Sequence, residues 1–112
     1  AAGAALGIRV IPGVELSATL AGREIHILGL HVDASPALEQ RLIALRGERA
    51  ARARAIVQKL QELGLAITDA DVEAAADGAA IGRPHLAKAL MARGHVGDRR
   101  EAFDRYLGAG RP

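Results

Sequence analysis

Glu24-Ile25-His26-Ile27-Leu28-Gly29-Leu30-His31-Val32 is the stretch on which the fold turns. It is short and largely apolar on both of its faces, so it reads as a strand covered from two sides, as in an α/β sheet or barrel. A few residues later the apolar period changes from two to about 3.6. Ser35 is placed as a helix N-cap with Pro36 at the first helical position. Leu38, Leu42, Leu45, Ala53, Ile56, Leu60 and Leu63 then recur at spacings of three and four, with one gap near Arg49. The pattern predicts a long amphipathic helix ended by Gly64 and weakened in its middle by Gly47. At 1.5 Å per residue it would span roughly 40 Å.

Working outward, Ile8 to Leu16 reads as an earlier strand broken by Pro12-Gly13, and Ala21-Gly22 supplies the turn between the two strands. Residues 1–6 read as the end of a helix stopped by Gly7. Downstream, three shorter helices are expected. Thr68 caps the first, with Asp71 placed as the third residue of a capping box. Pro84 opens the second and Gly94 closes it. Asp98 with Glu101 forms a second capping box for the third, which Gly108 closes. The layout is α/β: a strand pair within residues 1–34, then an all-helical stretch over residues 35–112.

The 112 residues suffice for a domain with a real core. Half are apolar, but with one Phe and one Tyr that core must be built from Ala, Leu, Ile and Val. The net charge is +2 and the isoelectric point near 9.7, an arginine excess that tolerates phosphate-bearing ligands. The absence of cysteine excludes disulfides, thiolate zinc sites and cysteine nucleophiles. No run approaches the roughly 20 apolar residues of a membrane span, and a cytoplasmic protein is expected. The chain opens without Met and closes on Gly110-Arg111-Pro112, so a piece of a longer protein is expected.

Glu15 and His26 each interrupt an apolar run. A buried carboxylate costs several kcal/mol unless it is paired or bound to a cation. Neighbouring strands could offer one carboxylate oxygen and one imidazole nitrogen to a shared divalent ion. The plainer alternatives are a strand-end Glu facing solvent and a satisfied core histidine. Arg83 and His85 flank Pro84 at a helix mouth, where free amides and the helix dipole favour an anion and Arg can grip a phosphate with two hydrogen bonds. A helix start with an incidental arginine is the alternative there. Arg41, Arg46, Arg49, Arg52, Arg54 and Lys59 face Glu48 alone in the same span of the long helix. They read as a solvated face, or as a surface drawing in a polyanionic substrate.

Together, Gly7 to Ser17 with its Val10-Ile11-Pro12-Gly13-Val14-Glu15-Leu16-Ser17, Gly22 to Gly29, Gly82-Arg83-Pro84-His85-Leu86-Ala87 and Phe103 to Gly108 resemble the PHP (polymerase and histidinol phosphatase) family of metal-dependent phosphoesterases. The resemblance is strongest to the branch acting on nucleoside 3′,5′-bisphosphates and on the 5′ ends of short RNA. It implies two strands of a (β/α)7-type barrel followed by an all-helical inserted domain. It also implies divalent metal ions (Mn, Zn or Fe), with Glu15 and His26 as ligands and Arg83 and His85 holding substrate phosphate. The family's amino-terminal His-x-His and nearby Asp, its later His and its carboxy-terminal Asp-x-His have no counterpart in this chain. The 112 residues alone are therefore expected to be inactive, and to self-associate through exposed strand edges in residues 8–32. A non-catalytic helical binding module and a histidinol-phosphate phosphatase-like enzyme are the rival readings.

Overall fold

The computed structural model describes residues 2–111. In chain order these form α1 (Ala2–Ala5), β1 (Gly13–Leu20), β2 (Arg23–Leu30), α2 (Pro36–Glu62), α3 (Asp69–Ala76), α4 (Arg83–Ala92) and α5 (Arg99–Ala102). A π-helical turn over Phe103–Leu107 follows. Two compact units result, one running to Glu39 and the other from Gln40 onward.

In the first unit, β1 and β2 form a two-stranded antiparallel sheet in which Leu20 pairs with Arg23 and Gly13 with Leu30. The turn between them has two residues, Ala21 and Gly22, both with positive φ, at 50° and 77°. That is the turn whose twist matches paired strands. The turn sets the register, and so corrects the expected strand bounds. Pairing carries Ser17-Ala18-Thr19-Leu20 into β1 because a two-residue turn leaves no slack. It starts only after Pro12, whose ring removes a donor. His31, with φ at 55°, ends β2 before Val32.

Paired residues share a face, and successive residues alternate. Glu15, Ser17 and Thr19 therefore lie with Glu24, His26 and Leu28 on one side, while Val14, Leu16 and Ala18 lie with Ile25 and Ile27 on the other. The expectation that β2 is buried on both sides is overturned. Apart from half-buried Gly29, β2 is exposed along its length, Ile27 at 54% and Leu28 at 67%. The β2 sequence read as apolar on both faces because Leu28, Gly29 and Leu30 blur an alternation that Glu24-Ile25-His26-Ile27 states clearly.

In the second unit, Ala53, Val57 and Leu60 of α2 are buried at spacings of four and three. They join Ile67, Val72, Leu86, Ala87, Ala89, Leu90, Val96, Ala102 and Leu107 in a core of aliphatic and small side chains. Leu63 was expected on this stripe but is half exposed, because α2 ends at Glu62 and Gly64 turns the chain at φ 84°. Val57 takes part instead. α2 runs through Gly47 without a break.

The expected caps are in place. Ser35 Oγ accepts from the Leu38 N–H. Thr68 and Asp71 make a reciprocal capping box at the start of α3. Asp98 accepts from the Glu101 N–H, but the Glu101 carboxylate turns to the Gly97 N–H rather than that of Asp98, so the second box is only half formed. Gly108 closes the last turn by donating its N–H to Phe103 O at 2.8 Å. A Cβ at position 108 would lie 2.7 Å from that same oxygen, so the site admits only glycine without movement of the backbone.

Candidate functional site

Glu15 sits opposite Leu28 and His26 opposite Ser17, which makes Glu15 and His26 diagonal neighbours on one face of the hairpin. Long side chains bridge such diagonals. Glu15 Oε1 and His26 Nδ1 are in direct contact. The other ring nitrogen, Nε2, faces Glu24 Oε1 at 3.7 Å. Glu24 was not singled out from the sequence, although its place two residues before His26 on the same strand puts both on one face. The cluster is therefore carboxylate, imidazole, carboxylate.

Its surroundings differ from those expected. The His26 side chain is 55% exposed and that of Glu15 59%, and no charged or polar residue is buried among the described residues. Among the described residues both groups are open to water. In this arrangement each is hydrated and contacts the other. Oxygen and nitrogen donors of this kind suit Zn, Mn or Fe. Glu15 and His26 fit such an ion as part of its ligand set. No group of three or more His, Asp or Glu among the described residues is arranged to hold a metal by itself.

Arg83 and His85 lie in the first turn of α4, one and three residues past its N-cap Gly82. His85 Nδ1 accepts from the Gly82 N–H at 3.0 Å, satisfying one of the amides a helix start leaves open. The ring proton then sits on Nε2, which is free of this bond. Arg83 is half-buried, and its Nη1 donates to Leu107 O at 3.3 Å, tying the start of α4 to the end of the π-helical turn. Both residues thus have a structural task. The capping bond could have been foreseen from the Gly-Arg-Pro-His spacing, since a side chain at the third helical position reaches back to the N-cap. The Leu107 contact spans 24 residues and has no local signal.

No family model matches the chain. It is 38% identical, over 107 residues and 95% of its length, to a 5′-3′ exoribonuclease of Haemophilus influenzae, covering 39% of that protein. It is 37% identical over its whole length to a 3′,5′-nucleoside bisphosphate phosphatase of Chromobacterium violaceum, covering 40%. Among solved structures, an amidohydrolase of Chromobacterium violaceum with bound sulfate and no metal aligns over 99% of this chain and 40% of its own, at 36% identity and a TM-score of 0.85. A Bifidobacterium adolescentis protein described as a metal-dependent phosphoesterase aligns over 97% of this chain and 39% of its own, at 28% identity and a TM-score of 0.84. Relatives of both the nuclease and the phosphatase kind thus match nearly the entire chain. These relatives agree with the resemblance of the chain to the PHP phosphoesterases. The chain spans about two-fifths of the length of the curated relatives it matches.

Proposed function

We propose that the chain is the central part of a metal-dependent phosphoesterase of the PHP family. In this reading the enzyme hydrolyses phosphate from nucleoside 3′,5′-bisphosphates or from the 5′ ends of short RNA. Residues 1–34 belong to a (β/α)7-type barrel and residues 35–112 to its helical insertion, in a cytoplasmic enzyme. The observation that carries the reading is the convergence of Glu15 and His26 on one face of the hairpin. It supports them as two ligands of a divalent ion, to which the rest of the enzyme would add more. A divalent ion of this kind supplies hydroxide near neutral pH and offsets charge on phosphoryl oxygens.

This chain's own residues would orient and bind. Glu15 sets the rotation of the His26 ring through Nδ1, and Glu24 faces its Nε2. Arg83 and the Nε2–H of His85 would donate to a substrate phosphate at the start of α4, where the amides and the helix dipole add to the attraction. The 112 residues by themselves are expected to show no turnover.

Two titrations of the chain test this, one with Mn²⁺ or Zn²⁺ and one with adenosine 3′,5′-bisphosphate, both followed by NMR. With two ligands the chain should bind metal only weakly, the perturbation centring on Glu15 and His26 and vanishing in Glu15→Ala and in His26→Ala. The bisphosphate should perturb Arg83 and His85. Metal binding indifferent to both alanine variants would refute the ligand assignment and favour a helical binding module.

A further inference from the structure

Five cations of α2, Arg46, Arg49, Arg52, Arg54 and Lys59, are exposed and make no ion pair or hydrogen bond through their side chains among the described residues. Cations elsewhere in the same unit are mostly engaged by the fold. Arg93 pairs with Asp71, Arg100 with Asp104 and Arg105 with Glu101. Arg83 and Lys88 donate to the carbonyls of Leu107 and Ala75. Between residues 65 and 107 only Arg99 lacks such a partner among the described residues. Glu48, the one acid between Arg41 and Lys59, is taken by Arg41 at 3.7 Å.

Arg46, Arg49 and Arg52 follow one another at spacings of three, so they are neighbours along one ridge of the helix, where like charges destabilise it. All three precede Ala53, the first buried residue of α2, so the core does not require them. Uncompensated repulsion with no folding role indicates a partner that supplies the missing anions. From Arg46 to Lys59 the helix rises roughly 20 Å, several nucleotides of a strand. Guanidinium groups match phosphate oxygens with paired hydrogen bonds. α2 carries no aromatic residue, so bases would not be stacked upon. A lipid surface fits poorly. A membrane-surface helix needs an apolar side to insert, and here Ala53, Val57 and Leu60 are spent on the core.

We propose that the Arg46–Arg49–Arg52 ridge, extended by Arg54 and Lys59, binds the phosphodiester backbone of single-stranded RNA without reading its bases. The choice of RNA rests on the phosphoesterase reading above; the need for a polyanion rests on α2 alone.

The test is fluorescence anisotropy of the 112-residue chain with a trinucleotide and an eighteen-nucleotide RNA, labelled at the 3′ end, over a range of salt. The long RNA should bind tighter. Each phosphate contact to a single strand contributes about 0.7 to the slope of log K against log salt, so R46A/R49A/R52A should lower that slope by about 2. Its melting temperature should hold or rise as repulsion is relieved. Should the triple alanine variant fail to fold, R46Q/R49Q/R52Q retains side-chain length and gives the same readout. An unchanged slope, equal affinity for the two RNAs, or binding to vesicles of anionic lipid or to polyglutamate that RNA does not displace would overturn the proposal. Omitting the 5′-phosphate from the long RNA probes Arg83 and His85 while leaving the slope due to the ridge, so the two readings fail separately.

Discussion

At Asp71 a single carboxylate serves both a helix start and a tie between helices. Oδ2 accepts from Thr68 N–H and Oγ1–H at 2.9 and 2.8 Å, and Oδ1 accepts from Arg93 Nε–H and Nη2–H at 3.0 and 2.8 Å. The bonds from Arg93 and then Thr68 lower its pKa from 3.8 to about 2. A carboxylate depressed in the folded state contributes stability that is present above its unfolded pKa and lost as pH falls through the folded value. Urea midpoints for the parent chain should therefore fall between pH 4 and pH 2 more steeply than those of Asp71→Asn. Parallel curves would remove Asp71 from the acid response. Thr68→Ala removes the cap hydroxyl and should cost about 1 kcal/mol at neutral pH, read from the same unfolding curves. The capping half of this arrangement was legible, because it is written in residues three apart. The Arg93 half was not, because its partner lies 22 residues away.

At the scale of elements, the hairpin and the π-helical turn depend on individual backbone positions. Ala21 holds a φ of 50°, a conformation Asn accepts with less strain. Ala21→Asn should slow hydrogen exchange across β1 and β2; unchanged exchange would mean that the turn does not limit the hairpin. Among the described residues both outer edges of this two-stranded sheet lack strand partners, and Ile25 and Ile27 are exposed beside them. Such edges tend to pair. Ile27→Lys should lower any association of the chain seen by light scattering. At the other end of the chain, Gly108→Ala places a methyl group against Phe103 O. Relief requires the turn to unwind, at a cost of about 1–3 kcal/mol, visible as a lower melting temperature. The sequence marked Gly108 as a stop. That the stop closes a π-helical turn follows from the approach of two backbone segments, which no residue type announces.

For the whole molecule, burial is unequally divided. Every fully buried apolar residue described lies between Ala53 and Leu107, and none lies in the hairpin. Exchange protection should accordingly be deep in α4 and the second half of α2 and shallow in β1 and β2. Uniform protection would show that the hairpin is covered in solution. Local chemistry by itself determined much of this protein. Proline, glycine and capping residues marked the helix limits because those preferences act over three or four residues. The same locality exposed Glu15, His26, Arg83 and His85 as groups out of keeping with their neighbours. Tertiary structure alone decided that Glu15 and His26 meet across a hairpin with Glu24 beside them, that they do so in water, and that Arg83 spans to the Leu107 carbonyl. Register, covering layers and long-range partners arise from pairing and packing between distant segments. No window of sequence contains both sides of such a contact.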